Sequence, residues 1–329
     1  MGAQLRVYRR RIRSVQSTRK ITKAMELIAA SRIAKAQARM HAARPYAQEL
    51  TRALAALGEN ATLQHPMLTG VESPRRSGIL LITSDRGLAG GYNANAIKRA
   101  NQLARRLRGE DKEVVWYVIG RKGAAYFNFR RIAVAGSWTG FSEQPNFLDA
   151  RDATETVVNA LVATSDGTAN DEPGVDELFV VYTKFVNSVS QTPTVAQVSP
   201  VRGASDDADE GALGISSDRE EDRDGGGRED SSGDGGQKAE YEFEPEPAQL
   251  IAALLPRYIS ARIFSALLES ATSESAARRR AMKSASDNAS ELIRTYTRLA
   301  NQARQAEITQ EISEIVGGAD ALAAAGSDD

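Results

Sequence analysis

The stretch SDRGLAGGYN, residues 84–93, is the place in this chain where residue types and spacing suggest a phosphate cradle. It follows the apolar run GILLITS and precedes an amphipathic pattern. It therefore occupies a strand-to-helix turn, where backbone N–H groups at a helix N-terminus can hold an anion. Its glycines, Gly87, Gly90 and Gly91, fit neither G-x-G-x-x-G nor the P-loop, and no Lys-Ser/Thr pair follows them. A tight turn packed on neighbouring backbone is the preferred reading. Asp85 and Arg86 could serve as catalytic groups or cap that turn. With no nucleophile or histidine beside them, capping is preferred. Glu311 and Glu314 share a helix face and could form an acid/base pair; a solvated or partner-facing surface is the plainer reading. The chain has two histidines, His41 and His65, and no cysteine. Histidine-based catalysis is not expected, and disulfides and thiolate metal sites are excluded.

The elements that would position any site divide the chain in three. Helical signal covers residues 4–57. Leu5, Tyr8, Ile12, Val15, Thr18, Thr22, Met25 and Ala29 step by threes and fours, the seam of a coiled-coil strand. Pro45 is expected to kink or interrupt it. Such a helix, roughly 75 Å long, cannot bury its own seam and needs a partner. The partner is at the other end, over 245–317. Phe264, Leu268 and Ala271, then Met282, Ala285, Ala289, Leu292, Tyr296, Leu299, Ala303 and Ala306, hold the same spacing there. Gly317-Gly318 is expected to stop the second helix, leaving 318–329 as a tail. We expect an antiparallel pair, with part of the longer second helix projecting beyond the start of the first.

Between them, residues 75–202 alternate short apolar runs with amphipathic stretches. GILLITS (78–84), EVVWYVIG (113–120), ELFVVYTKFV (177–186) and TVAQVSPV (194–201) read as strands. Residues 91–107, 121–129 and 146–163 read as helices. That alternation predicts an α/β layer with a mainly parallel sheet. Residues 164–174 form a turn-rich loop. Residues 203–240 are acidic and Gly/Ser-rich, with almost no apolar side chains, and are expected to be disordered.

The formal net charge of −1 hides an asymmetry. Residues 1–57 carry thirteen Lys/Arg against two Glu, net +11, while 204–240 carry thirteen Asp/Glu against four Lys/Arg, net −9. The basic helix could grip nucleic-acid phosphate, but its arginines lie all around it, with Arg9, Arg10 and Arg11 consecutive. A heptad seam on the same helix favours a packed shaft. No run of eighteen apolar residues is present, so no membrane span is expected. The seam is also too narrow and too rich in Thr and Ala for a membrane-surface helix. The N-terminus lacks the apolar core of a secretory signal. The residues thus describe a rod with a globular middle rather than an enzyme.

Several blocks carry a resemblance. STRKITKAMELIAASRIAKAQ near the start is similar to the N-terminal helix of the ATP synthase gamma subunit family, bacterial type. ITQEISEIVGGADA (308–321) resembles that family's C-terminal signature. TSDRGLAGGYNAN (83–95), IGRKGAAYF (119–127), KFVNSVSQTPT (184–194) and AMKSASDNAS (281–290) resemble further blocks, in the family's order. The match covers almost the whole chain outside 164–174 and 203–240. It implies a long antiparallel coiled coil plus a central Rossmann-like α/β domain. It also implies the role of central stalk, a non-catalytic rotor subunit that turns inside the alpha/beta hexamer. The shaft would couple proton flow through the c ring to ATP synthesis or hydrolysis in the beta subunits. Implied partners are the alpha, beta and epsilon subunits and the c-subunit ring, with one copy of this chain per complex, no cofactor and no nucleic acid. The implied location is peripheral, on the cytoplasmic face of the bacterial plasma membrane.

By the same resemblance, Lys23 and Met25 match shaft residues that face a beta subunit, and Arg278 their partner on the other helix. Arg304, Gln305, Thr309 and Glu311 match a polar patch that meets a catch loop of beta. Tyr241, Phe243 and Glu244 match contacts with the ring and epsilon. Two features depart from the family: an extended 164–174 loop and the long acidic stretch. The acidic stretch is read as an inert insertion rather than a regulatory loop. The lack of any cysteine pair rules out the thiol switch of the chloroplast form. A free-standing nucleotide-binding α/β protein with coiled-coil arms stays open as the alternative, with a nucleic-acid binder third.

Overall fold

A computed structural model describes residues 2–60, 66–169, 172–201 and 247–325. In chain order the elements are α1 (Gly2–Asn60), α2 (Pro66–Thr69), β1 (Arg76–Ile82), α3 (Tyr92–Gly109), β2 (Glu113–Ile119), α4 (Arg121–Phe129) and β3 (Gly136–Trp138). There follow α5 (Phe147–Ala163), β4 (Thr168–Ala169), β5 (Glu172–Pro173), β6 (Glu177–Phe185), β7 (Gln191–Ser199) and α6 (Pro247–Ala325). They form two compact units. One comprises Met1–Ser31, Leu88–Gly90 and Arg278–Asp329; the other comprises Arg32–Gly87 and Gly91–Ala277.

The second unit is an α/β sandwich. Its five-stranded sheet has the order β3-β2-β1-β6-β7, with β3, β2, β1 and β6 parallel and β7 antiparallel to β6. The apolar runs are continuous because each strand is buried on both faces. Ile79 and Leu81 of β1, Trp116 and Val118 of β2, and Phe179 and Val181 of β6 join the core under α3 and α4. The alternate residues Leu80, Ile82, Tyr117, Ile119, Val180 and Tyr182 join the core on the opposite face, with α5 and parts of α1 and α6. Asn146 caps α5 by accepting the Asp149 N–H at 2.8 Å. Gly120, at φ +100°, lies so close to the Thr83 carbonyl that a Cβ there would stand 2.2 Å from its oxygen.

In the first unit α1 and α6 run antiparallel: α1 leaves it at Ser31 where α6 enters at Arg278. Tyr8 lies against Tyr296, ring centroids 6.4 Å apart, and the Arg11 guanidinium sits 5.6 Å over the Tyr296 ring. Leu5, Tyr8, Ile12, Val15 and Met25 are half-buried, and Thr22 and Ala29 buried, as the seam predicts; Thr18 is exposed.

Several expectations change. Pro45 does not interrupt α1. The lost hydrogen bond and ring clash cost about 3 kcal/mol. Burial of Ala47, Leu50 and Leu54 beyond the proline offsets them. Gly317-Gly318 does not stop α6, which runs on to Ala325. Gly317 has no positive φ and so makes no left-handed cap; a helical glycine costs only about 1 kcal/mol. The α6 seam keeps Met282, Ala285, Ala289, Tyr296, Leu299 and Ala303 at least half-buried and adds Ser286, Ile293 and Ala300, while Ala306 is exposed and Leu292 45 % exposed. Steps of three and four cannot be told apart where the flanking residues are Ala and Ser.

By length and composition α6 also holds an 18-residue window apolar enough to cross a bilayer, mean hydropathy 1.4. The window is not an unbroken apolar run, since polar residues interrupt it. Ile251, Leu255, Ile259, Ile263 and Leu267 of this helix pack in the core of the α/β unit. Strand β7 starts three residues before its predicted position because Pro193 is tolerated at a sheet edge. The short β3 and the β4–β5 hairpin carry no sequence signal of their own. The acidic stretch 203–240 and the predicted tail residues 326–329 lie outside the described residues.

Candidate functional site

The turn after β1 is tied down as a structural joint. Asp85 is buried, and its carboxylate accepts N–H bonds from Arg121 (3.0 Å), Gly140 (2.8 Å) and Ser142 (3.0 Å). Its own N–H donates to the Ser142 hydroxyl at 2.8 Å. Ser84 N–H donates to the Asn93 side chain at 2.9 Å. The Asp85 oxygens thus tie the turn to the start of α4 and to the loop between β3 and α5. Arg86 lies 3.5 Å from Glu143, which also pairs with Arg32 of α1. No group of three or more His, Asp or Glu is arranged for a metal among the described residues.

The surfaces of α1 and α6 in the coiled-coil unit have a different character. Lys23 is exposed and pairs with Glu26 at 3.0 Å, while Met25, two residues on, is half-buried. Arg278 is only 5 % exposed, so its guanidinium is a packed group, and Arg279 and Arg280 face outward beside it. Arg304, Gln305, Thr309 and Glu311 are all exposed on α6. Arg304 and Glu311, seven residues apart, share one strip. Gln305 and Thr309 share another, and the Thr309 hydroxyl donates to the Gln305 carbonyl at 2.9 Å. Gln305 also ends a shallow groove of about 540 Å³ along α6, lined with Ile293, Arg294, Thr297, Arg298, Asn301 and Gln302. Glu314 accepts from Gln310 at 2.9 Å and is no partner of Glu311. The ring-facing candidates Tyr241, Phe243 and Glu244 lie outside the described residues.

Reading the sequence for polar contacts missed the apolar residues of this unit. Ile308, Ile312, Ile315 (72 % exposed) and Val316 form one exposed stripe near the end of α6. On α1, Ile21, Leu27 and Ile28 are exposed as well. The 4-then-3 spacing of the isoleucines was a readable signal. Exposed large apolar residues in such density mark a surface built to meet a partner.

Buried polar groups gather where α6 enters the α/β unit. Glu269, Ser270, Thr272, Ser273, Glu274 and Ser275 are all buried. Tyr92 donates to the Ser270 carbonyl at 3.3 Å, and the Thr183 N–H donates to the Ser270 hydroxyl at 3.3 Å. Burial pushes the Glu269 carboxyl up to about 8, against the opposing pull of Lys184, the Tyr182 hydroxyl, the Phe185 N–H and Arg44.

Comparison with known proteins bears on all of this. A family model described as "ATP synthase" matches residues 4–322. The ATP synthase gamma chain of Acidothermus cellulolyticus is 54 % identical over 328 residues, covering 100 % of both chains. That of Saccharopolyspora erythraea is 51 % identical over 331 residues, covering 99 % of this chain and 100 % of the other. Among solved structures, a chain of the Euglena gracilis mitochondrial ATP synthase in an OSCP/F1/c-ring assembly superposes with TM-score 0.63 at 16 % identity. It covers 98 % of this chain and 95 % of that one, and supports the fold.

Proposed function

Because this chain belongs to the ATP synthase gamma-chain family, we propose that it works as the central rotor shaft of a proton-translocating ATP synthase and is not itself catalytic. The observation that carries the reading is full-length likeness to gamma chains combined with an antiparallel α1/α6 pair whose outer surface carries exposed apolar residues. A bearing needs that surface: apolar side chains that slide over a ring of subunits, with a few polar contacts that break and re-form. Lys23, Met25 and Arg278, with Arg304, Gln305, Thr309 and Glu311, supply the contacts with the alpha/beta hexamer in this reading. Tyr241, Phe243 and Glu244 supply those with the c ring and epsilon. Because α1 and α6 present different side chains around their circumference, a half-turn offers each beta subunit a different surface. Binding free energy that depends on the rotational state can bias nucleotide affinity in turn. The reading also places the chain peripherally, on the cytoplasmic face of the plasma membrane.

The test is to tag the chain in its host, purify it gently from membranes and assay ATP hydrolysis. Co-purification with two larger subunits in about threefold excess, with hydrolysis activity, is expected if the family's hexamer surrounds this shaft. A lone soluble chain that binds nucleotide at micromolar concentration would return the free-standing nucleotide-binding reading to first place.

A further inference from the structure

Helix α3 buries Ala96, Ala100, Leu103, Ala104 and Leu107 against the sheet. Its opposite face carries Lys98, Gln102 and Arg105 at helical steps, flanked by Arg99, Arg106 and Arg108, all exposed. Arg106 reaches Glu110 at 3.8 Å. Lys98, Arg99, Arg105 and Arg108 form no ion pair with a carboxylate among the described residues. A charged helix face is commonly just solvated, so the stripe alone decides nothing.

Where the acidic segment is tethered points to its occupant. Residues 204–240 carry a net charge of −9, and the chain leaves the described structure just after β7. Helix α3 packs across β7, β1 and β6. Ser199, near the end of β7, pairs with Leu178, and Ser77 at the start of β1 pairs with Glu177. The segment therefore departs from the end of the sheet at which α3 terminates, at Gly109 just before β2 begins at Glu113. That is the end of α3 that carries Arg105, Arg106 and Arg108. Twenty residues of chain reach at most about 66 Å, and α3 is about 27 Å long. Tethering at that range makes the encounter intramolecular, at an effective concentration on the order of millimolar.

We propose that the acidic segment 204–240 docks on the basic solvent face of α3, held by charge. Several weak, solvent-screened pairs act together, so the contact is expected to be salt-sensitive. The chain lacks cysteine, which allows clean labelling. Spin labels at Gln102→Cys and Ser217→Cys, in the purified complex containing this chain, report their separation by pulsed dipolar spectroscopy. A narrow, short distance at low salt is expected, broadening at high salt and in the Lys98→Glu/Arg105→Glu background. Retained ATP hydrolysis of the doubly labelled complex confirms that the variants fold. A broad distribution indifferent to salt and to charge reversal would overturn the proposal. So would cross-linking from position 102 to another subunit, or lipid protection of that position on anionic vesicles, since either would name a different occupant.

Discussion

Glu269 sits on α6 with the charges of Lys184 and Arg44, the Tyr182 hydroxyl and the Phe185 N–H facing it, and burial still outweighs them. In the unfolded chain its carboxyl would titrate near 4.3; in the fold it titrates at about 8. Between those values the folded state holds a proton that unfolding releases. The folded state is therefore stabilised less and less as pH rises from about 5 to about 8, and the loss levels off above that. Glu269→Gln should flatten this dependence and, at pH 8, raise stability on the order of a few kcal/mol. Urea midpoints of the full-length chain measured from pH 5 to 9 check it; a slope unchanged in the variant contradicts it. Asp85 is the opposite case, a carboxylate satisfied by three backbone N–H groups. Asp85→Ala leaves those donors unpaired and should cost about 2–4 kcal/mol, read as a lowered urea midpoint with the hydrolysis rate per assembled complex unchanged.

At the scale of elements, the continuation of α6 through Gly317 has a direct consequence. A Cβ added at Gly317 meets nothing within 4 Å and the residue has no positive φ. Gly317→Ala should therefore raise helix content and stabilise the end of α6 by up to about 1 kcal/mol, seen as slower amide exchange around residue 315. Were the glycine a left-handed cap, the same change would destabilise. The α1/α6 pairing is equally accessible. With Tyr8 lying against Tyr296, Tyr8→Cys with Tyr296→Cys should be joined by a short thiol cross-linker within one chain. Tyr8→Cys paired with a cysteine on the opposite face of α6, such as Arg298→Cys, should not.

For the whole molecule, the exposed stripe Ile308, Ile312, Ile315 and Val316 belongs to the surface we assign to the bearing. Ile312→Asp with Ile315→Asp should weaken association with the alpha/beta hexamer at least tenfold, a loss of about 1.4 kcal/mol or more. The measurement is the fraction of hexamer that co-purifies with the tagged chain. Arg304→Ala with Glu311→Ala, on the polar strip, should leave assembly intact and lower the hydrolysis rate several-fold. If those two changes leave the rate alone, the polar strip is not a working contact.

Composition and periodicity alone specified the two long helices, the strand–helix alternation between them, the seam from Leu5 to Ala29 and the charge split between the basic shaft and the acidic segment. These follow from local rules: an apolar residue every three or four positions must find a partner, and an apolar run bounded by turns must be buried on both faces. The ordered blocks from ITKAMELIAAS to ITQEISEIV carried the family by resemblance instead, and the family model matches residues 4–322. Only tertiary structure decided which of two neighbouring seam positions faces inward. It also showed Arg278 to be packed and Arg304 open, Asp85 to be a joint, and Glu269 to keep its proton. Each of those depends on what the opposing surface supplies, a neighbouring helix, three backbone donors or a desolvating sheet, and no spacing along one chain records its partner's side chains. Pro45 and the glycine pair misled for a related reason. Their cost is local and about 1–3 kcal/mol each, and packing along a long helix can outweigh it.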